Sequence, residues 1–214
     1  MPRKPANAFE RKKHVYLAPE FEELIKDAMR FFNGTPVHTL PPPKRFLGEG
    51  VYAIYYIGKN ALYKPIYAAN RVTYQLPIYV GKAVPKGWRQ AKATATKQST
   101  ALFARLSQHA NSINTIHNLQ QGDFMCRFMI MEGATSAMIS TVEAALINHY
   151  HPVWNSCIDG FGNHDPGKGR YNQAKSDWDI LHPGREWADK CAGSAHSAVD
   201  ITKRIEQFWT SLNY

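Results

Sequence analysis

Apolar and polar positions divide the chain into three zones. In the first, residues 20–32 set Phe21, Leu24, Ile25, Ala28, Met29 and Phe32 on one stripe, the pattern of an amphipathic helix, and Asn33-Gly34 ends it. The run Pro41-Pro42-Pro43, followed by Lys44-Arg45, predicts an extended connector. From Gly50 to Asn155 the pattern changes. Residues 51–57 and 77–81 are rich in tyrosine and β-branched side chains and predict strands, residues 124–131 predict a third, and residues 100–113 and 136–150 predict helices. The last zone opens at Ser156 with a Gly-rich loop and closes with helical patterns over residues 175–180 and 196–212. Strands and helices mixed in this way predict an α/β (α+β) protein without internal repeats, with an amino-terminal arm and helix (1–49), a core (50–155) and a basic, helical extension (156–214).

Composition narrows the class. Of the 214 residues, 44% are hydrophobic and 20% charged, with 14 Gly and 13 Pro, which excludes a disordered chain or a collagen-like fibre. No apolar run approaches the ~18 residues a membrane span needs, and the basic start, residues 1–13, has no apolar segment behind it. An intracellular protein with no membrane partner is the expectation. Cys126, Cys157 and Cys191 are widely spaced and odd in number, which predicts free thiols. The 26 Lys plus Arg exceed the 17 Asp plus Glu, a surplus of +9 that attracts polyanions, nucleic acid foremost.

Three features could carry chemistry. Glu143 projects beside the apolar stripe Met138, Ile139, Val142, Leu146, Ile147 and Tyr150; an unpaired carboxylate there costs several kcal/mol, so it either meets a cation or metal or turns to water at the stripe's edge. Arg105 and His109 are spaced i, i+4 and share one helix face beside Leu102, Leu106 and Ile113. Arginine can clamp a phosphate and histidine can exchange a proton near neutral pH, although a solvated helix edge looks the same in sequence. Tyr52 and Tyr79 lie beside glycines in Gly50-Val51-Tyr52 and Tyr79-Val80-Gly81-Lys82. A phenol with a pKa of about 10 becomes a base only where cations such as Arg105 and Lys82, a metal or hydrogen bonds favour its anion; otherwise it packs.

Taken in order, Gly50-Val51-Tyr52, Pro77-Ile78-Tyr79-Val80-Gly81-Lys82-Ala83, Arg105-xxx-His109 and Glu143-xx-Leu146-Ile147-xx-Tyr150-x-Pro152-x-Trp154-Asn155 resemble the GIY-YIG nuclease family over about half the chain. A literal Tyr56-Ile57-Gly58 competes for the second motif, but Tyr56 lies at an even offset from Tyr52 and only extends the same strand. Tyr79-Val80-Gly81 is therefore the partner. Two segments, residues 59–76 and 82–100, are longer than the family pattern and read as DNA-contacting insertions.

The resemblance implies a small three-stranded antiparallel sheet flanked by helices and metal-dependent phosphodiester hydrolysis. It implies that Glu143 holds one divalent ion, Mg²⁺, while Arg105 neutralises the phosphoryl oxygens. Tyr52 and Tyr79 would flank the attacking water, one of them taking its proton with Tyr52 the favoured general base, while Tyr79, Lys82 and His109 orient or polarise the water and Asn155 fixes the phosphate or neighbouring groups by hydrogen bonds. The compact length suits a type II restriction endonuclease, similar to the subgroup that cuts CCGCGG. Such an enzyme is expected in the cytoplasm of a prokaryote, as a homodimer on double-stranded DNA, beside a cognate DNA methyltransferase acting on the same site. Arg71, Lys82, Lys86, Arg89, Lys92, Lys168 and Arg170 are the candidate DNA contacts. A structure-specific repair or homing nuclease of the same family, or a catalytically dead DNA-binding protein, are the alternatives. Two other patterns fail. Gly162-xxxx-Gly167-Lys168-Gly169 lacks the Ser or Thr and the strand and helix of a P-loop, and His149 and His151 at a helix end face different directions.

Overall fold

The computed structural model describes residues 9–85 and 99–214. Strand β1 (Val37–Thr39), β2 (Gly50–Tyr56), β3 (Tyr79–Ala83) and β4 (Phe124–Ile130) form one antiparallel sheet in the order β1-β4-β2-β3. β2 is central and buried at all its positions, with alternate side chains serving two different cores. Tyr52, Ile54 and Tyr56 join one apolar cluster, and Val51, Ala53 and Tyr55 the other.

Helices cover both faces. The Val51 side packs against α1 (Pro19–Gly34) and α4 (Ile139–Tyr150). The Tyr52 side packs against α2 (Lys64–Asn70), α3 (Ala101–Asn114), α5 (Val153–Ser156), α6 (Asp177–Leu181) and α7 (Ala198–Ser211). Trp178, Ile201, Ile205 and Trp209 of the extension thus share one core with Tyr52 and Ile54 of the sheet. The aromatic side chains there, large and fully removed from water, dominate that core's burial.

The predicted elements recur with instructive shifts. The sheet has four strands rather than three, because the short β1 adds to the free side of β4, pairing Val37 with Arg127. The strand expected at residue 77 begins at Tyr79; Pro77 has no N–H to give a ladder. The helix expected from residue 136 begins as a 3-10 segment, Gly133–Met138, before α4. The stripe of α1 is only partly used: Ile25, Ala28 and Met29 pack and Phe32 is buried, while Phe21 and Leu24 are 45% and 47% exposed. All three cysteines are free, and burial pushes the Cys126 thiol up to about 12.

The insertion between β2 and β3 is a folded unit. Pro65 sits in the first turn of α2, where its missing N–H costs nothing. At the helix end, buried Asn70 donates to the Tyr56 and Leu76 carbonyls and accepts from the Gln75 and Leu76 amides. One side chain therefore closes the loop that turns β2 back toward β3, satisfying buried backbone groups that would otherwise be orphaned. Among the described residues no helix is long and apolar enough to cross a membrane.

Candidate active site

The site wraps around the edge of the sheet. β3 is the edge strand, and alternation sends Tyr79 and Gly81 to the Tyr52 face and Lys82 to the α4 face. Register places Tyr52 opposite Gly81 and Ile54 opposite Tyr79. Tyr56 lies two pleats further along the same strand as Tyr52, paired with Phe124 of β4. Gly81 is needed where it is: the Tyr52 hydroxyl rests where a Cβ at that position would stand.

On the Tyr52 face, α3 supplies two groups. His109 is 2% exposed and lies within the buried seam of Leu102, Leu106 and Ile113 rather than on a solvated edge. Its Nε2 is 2.7 Å from the Tyr52 hydroxyl. Burial above all, and then the Arg105 guanidinium, hold His109 well below the usual histidine range, so the ring is neutral. Burial, reinforced by neighbouring Tyr79, keeps the Tyr52 phenol well above its ordinary value, against an opposing pull from Arg105. Tyr79 is also raised, by burial first, with Arg105 lowering and Glu143 raising it. Both phenols are thus protonated, and both feel the Arg105 and Glu143 charges.

Arg105 itself is half-buried and already occupied. Nη2 donates to the Gly162 carbonyl at 3.0 Å, and Nη1 donates to His164 Nε2 at 2.5 Å and to Gln108 Oε1 at 3.3 Å. Phe161 lies flat on His109, with ring centroids 4.5 Å apart and 15° between planes, and meets Tyr79 edge-on at 5.0 Å. Phe161 goes unnoticed in the sequence, and Gly162 and His164 have a part in the site other than the phosphate-loop or metal-ligand patterns they suggest. An aromatic between two glycines, Gly160-Phe161-Gly162, was the one available hint of a loop held close to something.

From the other face, α4 delivers Glu143. Its Oε2 accepts from Lys82 Nζ at 2.6 Å, and the two side chains are 19% and 24% exposed. The carboxylate beside the apolar stripe thus has its cation. Lys82 belongs to this cluster, not merely to a basic surface. Asn155 reaches the same strand differently: its Oδ1 accepts from the Val80 amide at 2.8 Å and its Nδ2 donates to the Val80 carbonyl at 2.9 Å. With its carbonyl and one N–H spent on β3, Asn155 fixes a neighbouring group of the site, holding the strand between Tyr79 and Gly81.

The remaining candidates lie apart from this cluster. Arg71 is exposed at the end of α2, and Lys168 and Arg170 are exposed on the 3-10 turn Lys168–Arg170. That turn is held by Asp165, which accepts from the Gly167 amide and the Tyr171 hydroxyl. Lys86, Arg89 and Lys92 lie outside the described residues. Among the described residues no three His, Cys, Asp or Glu side chains cluster as metal ligands. What the cleft offers a hard divalent cation is the Glu143 carboxylate, half-buried and close to both phenols, a donor set that suits an ion retaining several waters.

No curated protein matches the chain. A family model described as the Eco29kI GIY-YIG domain matches residues 44–209, which takes in the sheet from β2 onward, every residue of the cluster above and most of the helical extension. With well over half its length matched, this chain belongs to the Eco29kI GIY-YIG family, a restriction-type nuclease family whose members act on DNA.

Proposed function

We propose that this protein is a type II restriction endonuclease that hydrolyses double-stranded DNA at a short, GC-rich palindrome such as CCGCGG, using Mg²⁺. The observation that carries this reading is the meeting of Tyr52, His109, Tyr79 and Arg105 with the Lys82–Glu143 pair around one sheet edge.

Glu143 would hold the ion, which supplies charge stabilisation to the phosphoryl and leaving oxygens when bound. The chain's own residues do the rest. Tyr52 cannot start as a phenolate, because its burial forbids the charge. With the His109 proton on Nδ1, the Tyr52 hydroxyl donates to Nε2, leaving its oxygen lone pairs free to receive a proton from water. As the water proton arrives at Tyr52, the phenolic proton passes to His109. The hydroxide attacks phosphorus as the P–O3′ bond breaks, the 3′ oxygen leaves as an alkoxide that takes a proton from solvent, and the protein is left with a neutral phenol and an imidazolium that returns its proton to solvent. Arg105 supports the step twice. It binds the phosphoryl oxygens, and as they neutralise it the second cause that depresses His109 fades. Lys82 and Tyr79 hold the water and phosphate from the edge strand.

Palindromic cutting calls for a two-fold dimer. The apolar residues that α1 leaves uncovered, Phe21, Leu24 and Phe31, offer a surface for a second copy. Arg71, Lys168 and Arg170 are exposed cations suited to phosphate or guanine contacts. A cognate methyltransferase and a prokaryotic cytoplasm complete the proposed setting.

A plasmid digest with Mg²⁺ tests the reading. Discrete fragments support it, selective nicking of branched DNA would favour a repair enzyme, and binding without cutting would mark a dead nuclease fold. Glu143→Gln should lose cleavage while DNA binding persists; full Mg²⁺-dependent cutting by that variant removes Glu143 from the metal role.

A further inference from the structure

We propose that Arg185, far along the chain in the extension, is a positioning residue that sets the phosphate-binding arginine, Arg105, through the loop of residues 160–164; the inference rests on the nuclease reading above. Arg185 is 5% exposed and makes an ion pair with Asp179, Nε to Oδ1 at 2.6 Å, the carboxylate itself buried. Trp178 and Trp187 lie 4.5 and 4.8 Å from the guanidinium centre. A charge this deep persists only where its donors are met. Here the loop meets them: Nη2 donates to the Gly160 carbonyl at 2.8 Å, and Nη1 to the Phe161 and Asn163 carbonyls at 3.3 and 3.2 Å.

The carbonyl that Arg185 does not take is the informative one. Gly162 lies between Phe161 and Asn163, and its carbonyl accepts from Arg105 Nη2 at 3.0 Å. One short loop therefore stands between two arginines, three of its carbonyls given to the buried one and the fourth to the one in the cleft. The same loop carries the Phe161 ring that lies on His109 and touches Tyr79, and the His164 ring that receives Arg105 Nη1. Sliding the loop would strand the Arg185 donors in an apolar setting, so Arg185 fixes where Arg105 waits before phosphate arrives. Lysine could keep the ion pair but not the planar fork that spans three carbonyls.

The test uses the full chain, Mg²⁺ and plasmid DNA, with single-turnover rates measured across enzyme concentration. Arg185→Lys should lower the maximal rate by about 100-fold, the scale of a small misplacement in a reacting site. Half-saturation should move by less than about threefold, since ground-state binding is not what Arg185 serves. In an Arg105→Ala background the same substitution should cost less than about threefold, because its route of action is gone. Should Arg185→Lys fail to fold by circular dichroism, the charge-free pair Asp179→Asn with Arg185→Met takes its place in the same cycle. A full rate in a folded Arg185 variant, or equal penalties with and without Arg105, would overturn the proposal while the wild-type enzyme still cuts. A wild type that cuts nothing overturns the nuclease reading and this inference with it.

Discussion

Two buried tyrosine–histidine pairs lie in the same core. Tyr52 meets His109 Nε2 at 2.7 Å, and Tyr63 meets His182 Nε2 at 2.6 Å. Both rings of each pair are removed from water, both phenols are raised by burial, and both histidines are held neutral by it. The surroundings differ. Around Tyr63 the hydrogen bonds close on themselves: Trp154 Nε1 donates to the Tyr63 oxygen at 2.9 Å, and His182 Nδ1 pairs with Asn118 Oδ1 at 2.9 Å. Every polar atom has a fixed partner, and no proton can leave. Around Tyr52 stand Arg105 and Glu143, at a strand edge where Gly81 makes the space that the hydroxyl fills. The same two side chains join the extension to the body in one place and, in the proposed mechanism, move a proton in the other. What separates them is the charge around them, not residue type or burial.

Substitutions break this comparison in opposite directions. Tyr52→Phe should lower turnover by about 10²–10⁴-fold, the usual share of a proton-transfer group, with the fold intact; plasmid cleavage under saturating Mg²⁺ measures it, and near-normal cutting would move the base elsewhere. Arg105→Ala follows, with a loss of about 10²–10³-fold read in the same assay. Tyr63→Phe is the counterpart. It leaves Trp154 Nε1 and His182 without the shared hydroxyl, so chemical denaturation should register a cost of about 1–3 kcal/mol while the cleavage rate of the folded protein stays the same. A fall in turnover as large as that of Tyr52→Phe would erase the distinction between the pairs.

Acid tests the second pair alone. Burial, with Arg185 adding to it, lowers His182 from the ordinary 6.5 to about 3. The folded protein therefore refuses a proton that the unfolded chain accepts. Its contribution to stability is complete above 6.5 and is lost as pH falls from there toward 3. His182→Gln should flatten the pH dependence of unfolding in that window by up to about 1.4 kcal/mol per pH unit. An unchanged slope would mean that His182 takes up its proton equally in both states.

The linear patterns were legible where local periodicity governs. Tyr52, Tyr79, Arg105 and Glu143 sit on strands and helices whose apolar spacing is strong, and the parity of a strand alone separates Tyr56 from Tyr79. The Arg105–His109 spacing placed the two on one face, yet only packing reveals that His109 is within the seam, where Phe161 covers it. β1 escaped notice because three residues carry too little pattern, and its place is decided by β4, distant in sequence. The loop carrying Gly162 and His164 shows in the sequence only as Gly-rich, within a basic extension. Its order comes from Arg185, more than twenty residues onward, and no local signal announces such a contact.

Asn155 has a consequence beyond the cleft. β3 ends the sheet, and an unguarded border of this kind offers amides and carbonyls in a row to any extended peptide that drifts by. Here the Asn155 carboxamide occupies the Val80 pair, and the neighbouring Trp154 amide donates to Ile78 at 3.0 Å. Two consecutive residues of one short helix thus stand where a further strand would pair, and they deny this border to aggregation.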